Sequence, residues 1–181
     1  MDKDAIRITE NFLSHEECDW YITLFKNSLD LIEPVKHLHG DEHLGGEHLE
    51  DKSVNTDVLH MHMVAEKNNG HTYANQQWKL LIDRLMNGPI PADYKFYYGQ
   101  VVYWKNGLSL HPHLDDLYEP GGLTSLIYLN DDYEGGITTI GDIKIKPKKG
   151  LLVSFKGHEI LHSVSMVTGD RYTMPIWYNT K

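Results

Sequence analysis

The stretch Gln100–Asp115 has the sequence QVVYWKNGLSLHPHLD. Its first five residues are rich in β-branched and aromatic side chains, which favour a strand. A glycine, Gly107, then interrupts the run, and His113 and Asp115 follow two positions apart. Because an extended backbone directs alternate side chains to one face, both can reach one metal ion. The stretch therefore predicts a β structure that carries a polar site near the end of a strand.

The residues from Tyr94 onward have the composition of short strands separated by glycine turns. Further segments rich in strand formers are Leu123–Leu129, Thr138–Ile145, Leu151–Phe155 and Tyr172–Tyr178. Gly141 and Asp142 suit a two-residue turn, which makes Thr138–Ile145 a predicted hairpin. Pro147 and Pro175 predict edge or irregular positions. Such a series can wrap into two facing sheets with a cavity between them, as in jelly rolls and cupins, so we predict a mainly β (α+β) fold.

Two helices are predicted before these strands. Ser14 and Glu17 fit a capping box at the start of the first helix. Apolar residues recur at three- and four-residue steps across Cys18–Leu29, which gives one buried stripe. A second stripe covers Trp78–Leu85 and ends before a glycine and a proline, which favour termination. We expect both helices to support the sheet.

The length of 181 residues suits a single domain, 1–181. In this interpretation residues 1–93 supply helical support and a variable loop, and residues 94–181 form the catalytic β core. Residues 34–72 have loop composition and little hydrophobic periodicity. This segment contains His37, His39, His43 and His48. Their spacing matches no zinc motif, so solvated histidines are the simpler interpretation, and a lid over the active site is the functional alternative.

Composition restricts the compartment and the partners. The formal net charge is −9 and no run rich in lysine or arginine occurs, which disfavours nucleic acid as a partner. Cys18 is the only cysteine, which rules out an intrachain disulfide and cysteine-rich zinc or iron–sulfur sites. The first residues lack a secretory pattern, and no apolar stretch approaches membrane-spanning length. We therefore expect a soluble, cytoplasmic protein with no membrane partner.

His162, on a separate predicted strand, can complete a metal site with His113 and Asp115. Two imidazoles and one carboxylate on one face of an octahedron leave the opposite positions open, which is typical of mononuclear iron(II) oxygenases. A structural zinc site would be closed instead. His111 shares the alternating face of His113, so a set of three histidines is an alternative. The spacing from Gly107 and the presence of Asp115 favour His113.

The motif Tyr103-Trp-Lys-Asn-Gly107, followed six residues later by His113-Leu-Asp115, resembles the iron(II)- and 2-oxoglutarate-dependent dioxygenases of the prolyl 4-hydroxylase type. The later matching segments are Leu123–Asn130, Glu134–Gly136, Lys146–Gly150, Leu161–Val164 and Gly169–Tyr172. The opening Asn11–Cys18 is also similar to the start of that family. The resemblance implies a distorted double-stranded β-helix, that is, a cupin-like jelly roll with supporting N-terminal helices.

The same resemblance implies a role for each matching position. The metal ligands would be His113, Asp115 and His162. Arg171, nine residues after His162, would hold the far carboxylate of 2-oxoglutarate, since a planar guanidinium can bond two oxygens at once. The other residues around the cosubstrate would be Tyr103, Tyr128, Val164 and Trp177. The two tyrosines would donate hydrogen bonds to that carboxylate, although Tyr128, Val164 and Trp177 also suit a plain core.

The implied reaction is hydroxylation of a substrate C–H bond with release of succinate and carbon dioxide. It would use iron(II), 2-oxoglutarate and dioxygen, with ascorbate as an accessory reductant. The implied substrate is a proline-containing peptide or protein, hydroxylated at ring position 4. A hydroxylase of a free amino acid or another small metabolite is the alternative, and a non-catalytic β-sandwich binding module is a third. Oxygenases that repair alkylated nucleic acids carry a second arginine where this chain has Trp177, which disfavours that class.

Overall fold

Antiparallel strands make up most of the described chain. The computed structural model describes residues 6–28, 32–34, 44–45, 58–62, 64–67, 70–73, 76–115 and 121–181. The elements in chain order are β1 (Ile6–Thr9), α1 (His15–Asn27), β2 (Ile32–Pro34), β3 (Leu44–Gly45), β4 (Val58–His62), β5 (Val64–Lys67), β6 (Gly70–Tyr73), α2 (Gln76–Met86), β7 (Tyr94–Trp104), β8 (Ser109–His113), β9 (Leu123–Tyr128), β10 (Glu134–Gly135), β11 (Thr138–Ile140), β12 (Ile143–Ile145), β13 (Leu152–Phe155), β14 (His162–Val164), β15 (Val167–Thr168) and β16 (Arg171–Thr180).

Two sheets form the body of the protein. The major sheet has seven strands in the order β1-β13-β9-β16-β7-β4-β2, and the minor sheet has five in the order β12-β11-β14-β8-β3. The pairs β10-β15 and β5-β6 form two further two-stranded sheets. The pairing is antiparallel throughout the major and minor sheets. The predicted mainly β class is confirmed.

Both predicted helices pack on one face of the major sheet. Ser14 caps α1, because its hydroxyl accepts from the Glu17 amide at 3.1 Å and the Glu17 carboxylate accepts from the Ser14 amide at 2.8 Å. The stacked rings of Tyr21 and Trp78, with centroids 4.9 Å apart, join the two helices. The buried residues of both apolar stripes share one core with the outward face of β9 and β16. Leu29, which the first stripe included, lies outside the described residues.

The opposite face of the major sheet packs against the minor sheet. Val102 and Trp104 on β7 share a core cluster with Val164 on β14. The hydroxyl of Tyr128 on β9 donates to Thr138 Oγ1 on β11 at 2.6 Å. Side chains that point inward from either sheet therefore meet in the space between them.

The predicted hairpin and the predicted position of Pro175 can both be compared with the sheets. The predicted hairpin forms, with Ile140 opposite Ile143 and Gly141 at φ 57°, a left-handed angle that glycine adopts without strain. Of the two positions predicted for Pro175, edge or irregular, the structure has the second, since β16 lies between β9 and β7 in the major sheet and not at its edge. Its ladder to β7 runs as far as Thr173 and resumes at Ile176. Proline has no backbone N–H to donate, and Pro175 lies in that gap, so the strand loses few ladder hydrogen bonds by including a proline.

The N-terminal half supplies strands as well as helices. β1 pairs with β13, β2 and β4 extend the major sheet beyond β7, and β3 pairs with β8 in the minor sheet. The four histidines of the His-rich segment, and most of the lid predicted there, lie outside the described residues. Within the described ranges, no helix has the length and apolar character needed to cross a lipid bilayer.

Candidate active site

The two histidines of the predicted triad are cross-strand partners. His113 ends β8 and is paired with His162 at the start of β14, and their ring centroids are 4.2 Å apart. Asp115 Oδ1 lies 3.6 Å from His162 Nε2 and 4.0 Å from His113 Nε2. One ligand atom from each residue lies within 4.8 Å of the others. The structure thus brings together two imidazoles and one carboxylate around a point that one divalent cation can occupy.

Backbone carbonyls orient both imidazole rings. His113 Nδ1 is 2.9 Å from the carbonyl oxygen of His111, and His162 Nδ1 is 3.0 Å from that of Ile160. Because a carbonyl only accepts, each Nδ1 carries the proton and donates it. Each Nε2 faces Asp115; in the neutral ring it carries the lone pair that binds a metal, and in the protonated ring it donates to the carboxylate instead.

The Asp115 carboxylate is held in its ionised form. Burial raises the pKa of Asp115, but the hydrogen bond and charge of His162, the hydrogen bond from Thr124 and the charge of His113 outweigh burial, so the pKa is lowered overall. A lowered pKa keeps the group ready to bind a cation at neutral pH. His111, the alternative ligand, is exposed and contributes its carbonyl to orient His113.

Arg171 is a buried cation that lacks a counter-ion among the described residues. Its side chain is 2% exposed, and its Nε has no hydrogen-bond partner. One guanidinium nitrogen is 3.4 Å from Thr173 Oγ1, and the guanidinium carbon lies 4.8 Å from the centre of the Trp104 ring. A buried charge of this kind is costly unless an anion binds it. The residues therefore fit a small carboxylic acid whose carboxylate meets the planar guanidinium.

Three of the four other predicted pocket residues lie on the inner face. Tyr128 is fully buried, and its ring centre is 6.0 Å from the Arg171 guanidinium carbon. Burial raises the pKa of Tyr128, so its hydroxyl stays neutral. Val164 packs in the same cluster as Trp104. Trp177 stacks on Tyr98 with centroids 5.6 Å apart.

Tyr103 does not join this group. Cross-strand pairing places Trp104 opposite Arg171 and Tyr103 opposite Tyr172, so adjacent residues of β7 face opposite sides of the sheet. The Tyr103 ring stacks on Tyr172 at 4.8 Å, on the helix side, and its hydroxyl donates to Asp170 at 2.9 Å. The structure therefore places Tyr103 on the opposite face of the sheet from Arg171, and Trp104 occupies the position beside the guanidinium.

Tyr133 is a second pocket residue that sequence reasoning did not find. Burial raises its pKa to about 12, with Arg171 close enough to oppose that rise. Gly136, at φ 60°, lies against both Tyr133 and Arg171. A Cβ at this position would lie 2.6 Å from a ring carbon of Tyr133 and 3.5 Å from Arg171 Cδ. The Glu134-Gly-Gly136 motif is visible in the sequence, but only its contact with Arg171 shows what the glycine makes room for.

Sequence comparison identifies one family and one curated relative. Residues 99–179 match the family model of the 2OG-Fe(II) oxygenase superfamily. Prolyl 3-hydroxylase 2 of Rattus norvegicus is 44% identical over 64 residues, which is 30% of this chain and 9% of the relative. The chain therefore spans less than a tenth of the length of that relative.

Similar solved structures cover nearly the whole chain. A viral collagen prolyl hydroxylase from Paramecium Bursaria Chlorella virus-1, in its 2OG complex, has a TM-score of 0.62 and 20% identity, covering 99% of this chain and 98% of that one. A Trichoplax adhaerens prolyl hydroxylase, in complex with a hypoxia inducible factor oxygen degradation domain peptide fragment, has a TM-score of 0.66 and 18% identity over 99% and 85%. These likenesses confirm the double-stranded β-helix.

Proposed function

We propose that this chain, whose residues 99–179 match the family model of the 2OG-Fe(II) oxygenase superfamily, hydroxylates a prolyl residue in a peptide or protein. The observation that carries the proposal is the combination of two features between the sheets. One is the triad of His113, Asp115 and His162, whose ligand atoms converge. The other is the buried Arg171, which has no counter-ion among the described residues. A metal and a dicarboxylate together satisfy both.

Each group of residues in the site would have its own role. His113, Asp115 and His162 would hold iron(II) through three atoms, which leaves positions for the cosubstrate and dioxygen. Iron bound there would supply, with dioxygen as the oxidant, the chemistry that releases succinate and carbon dioxide from 2-oxoglutarate. Arg171 would bind the far carboxylate of 2-oxoglutarate, with Trp104 and Tyr128 against its guanidinium. These aromatic rings exclude water, which strengthens the ionic contact and fixes the orientation of the acid.

The substrate is proposed from the relatives. The curated relative and both structural relatives are named as prolyl hydroxylases, and one structure holds a peptide fragment. We propose ring position 4 as the site of hydroxylation, in line with the motifs. Because the curated relative is named a 3-hydroxylase, hydrolysed product should be chromatographed against authentic 3- and 4-hydroxyproline.

The activity test measures succinate release with proline-containing peptides, and peptide mass. We expect release to depend on the peptide, the peptide to gain one oxygen atom, and a peptide with alanine for proline to be inert. Asp115→Asn should abolish turnover, whereas Asp142→Asn, on the exposed hairpin turn, should leave it unchanged. Parallel reactions without ascorbate test its accessory role. Turnover of free proline but of no peptide would contradict the peptide assignment and favour the small-metabolite alternative.

The cosubstrate assignment has a separate test that needs no substrate. Iron(II) and 2-oxoglutarate added together under anaerobic conditions should give a visible metal-to-ligand charge-transfer band. Neither component alone should give it. If the band is absent while iron(II) binds, 2-oxoglutarate is not the chelating acid.

A further inference from the structure

A single turn of the backbone contacts two members of the triad. The turn follows β13, and its Lys156 carbonyl accepts from the amides of Glu159 and Ile160 at 3.0 Å each. The Ile160 carbonyl receives the Nδ1 proton of His162. The Gly157 carbonyl accepts from the amide of Asp115 at 3.0 Å. The turn thus sets the orientation of one imidazole and the backbone position of the carboxylate ligand.

Gly157 also lies against the Asp115 side chain. A Cβ at this position would be 2.0 Å from Asp115 Oδ2, 2.9 Å from Asp115 Cγ and 2.3 Å from Thr124 Oγ1. Its φ is not among the left-handed values of the described residues, so alanine could adopt the backbone angle. The requirement for glycine is therefore one of space: any side chain would displace the carboxylate or the threonine.

Thr124 holds the carboxylate oxygen that points away from the histidines. Its hydroxyl donates to Asp115 Oδ2 at 2.5 Å, while Oδ1 faces the two Nε2 atoms. Thr124 is 5% exposed and lies on β9, where β13 and β16 pair with it on either side through Phe155 and Trp177. Strands on both sides therefore hold the backbone of this donor in the interior of the major sheet.

We propose that Thr124 and Gly157 are positioning residues that hold Asp115 as a one-oxygen ligand of the metal. The proposal rests on the proposed function and deepens it. Oδ2 is engaged by the Thr124 hydroxyl in the space left by Gly157, so only Oδ1 is offered to the cation. Three protein atoms then bind the metal, and two positions remain for a chelating acid and one for dioxygen. A carboxylate free to bind through both oxygens would occupy a position that the cosubstrate needs.

The test compares the divalent metal affinities of variants of the 181-residue chain, with Mn²⁺ as the probe in anaerobic buffer. Thr124→Val removes the hydroxyl at nearly constant volume and should weaken Mn²⁺ binding about 10- to 100-fold, as loss of partners to metal ligands does. Thr124→Ser keeps the donor and should restore most of the affinity. Gly157→Ala should weaken Mn²⁺ binding as well. The visible spectrum of Co²⁺-loaded Thr124→Val should show a changed coordination number.

Ser125→Ala is the matched control. Ser125 is the next residue on β9, fully buried, and its hydroxyl is 2.7 Å from that of Ser154, so its loss also removes a buried hydrogen bond. This variant should lose stability and keep its Mn²⁺ affinity. Unchanged Mn²⁺ affinity in a folded Thr124→Val chain would overturn the positioning roles alone. A wild-type chain that bound no Mn²⁺, Co²⁺ or iron(II) would overturn the proposed function and the positioning roles with it.

Discussion

Arg171 has a positive charge at a buried position where it makes few favourable contacts until an anion binds. Replacing it with methionine removes unsatisfied donors, each of which costs on the order of 1 kcal/mol when buried. We expect Arg171→Met to leave the free energy of unfolding of Mn²⁺-loaded protein without 2-oxoglutarate unchanged or to raise it by about 1 kcal/mol. The same change should abolish the stabilisation by 2-oxoglutarate, which reaches about 2.7 kcal/mol at a hundred times the dissociation constant. Urea unfolding of Mn²⁺-loaded protein, with and without 2-oxoglutarate, measures both quantities.

Arg84 is the matched control for this charge. It donates to Glu17 Oε1 at 2.9 Å and to the Phe12 carbonyl, and its guanidinium lies 4.7 Å from the centre of the Phe12 ring. Arg84→Met should therefore lower stability by about 0.5–1 kcal/mol and keep the response to 2-oxoglutarate. If Arg171→Met retained that response, another group would have to bind the far carboxylate.

At the scale of single elements, α1 depends on its capping box. Ser14→Ala removes the acceptor for the Glu17 amide, and losing such a cap costs about 1 kcal/mol. We expect the free energy of unfolding, measured by urea titration, to fall by about that amount. Thr23→Ala on the same helix is the comparison, because the partner of the Thr23 hydroxyl among the described residues is the Asp19 carbonyl, which already has a helical partner. Its effect should stay within about 0.5 kcal/mol, and equal losses in the two variants would show that the cap contributes nothing specific.

The elements with local determinants were predictable from the sequence. The cap at Ser14 and the turn at Gly141 each depend on residues a few positions apart, so the sequence contains the whole interaction. The stripe of α2 needed only its helical period to identify the buried face. The matching of His113, Asp115 and His162 to one site came from motif spacing and agrees with the geometry of the ligand atoms.

The face of the sheet on which each side chain of β7 lies was not predictable in the same way. A strand exposed on one face alternates between apolar and polar residues, but β7 contributes to core clusters on both of its faces near its C-terminal end. Val101, Val102 and Trp104 are all buried, so no alternation distinguishes the face of Trp104 from that of Tyr103. The contacts of Thr124 and Gly157 with Asp115 bring together residues distant in sequence, and local periodicity contains no information about them.

At the scale of the molecule, the two faces of the major sheet differ in what they pack against: one packs on the helices and the other carries the candidate site. The outward face and the helices form the largest apolar cluster, which includes Tyr21, Trp78 and Met174. The inward face carries the buried charge of Arg171, and Thr124 there holds Asp115. The buried charge and the contacts to Asp115 therefore lie on one side of a sheet whose other side supplies most of the apolar burial.

Gly150 joins the N-terminal segment to this sheet. Its amide donates to the Tyr128 carbonyl at 2.8 Å, and its carbonyl accepts from the Leu13 amide at 3.2 Å, immediately before the cap of α1. It has φ +81°, and a Cβ would lie 2.3 Å from the Leu13 carbonyl oxygen. Alanine in this left-handed region costs about 1–2 kcal/mol from the backbone alone, and the clash adds to that cost by displacing Leu13 and α1.

Gly107 separates the backbone cost of a left-handed alanine from the cost of the clash with Leu13. It has φ +90°, but no atom lies within 4 Å of the point where a Cβ would lie. We expect Gly107→Ala to lower the free energy of unfolding by about 1–2 kcal/mol and Gly150→Ala to lower it by at least about 3 kcal/mol. Urea unfolding followed by tryptophan fluorescence measures the difference, because Trp78 on α2 stacks on Tyr21 of α1 and reports the docking of the helices. Equal losses in the two variants would mean that Leu13 yields without cost, and that the N-terminal segment is joined to the sheet by the helices rather than by the Gly150 contact.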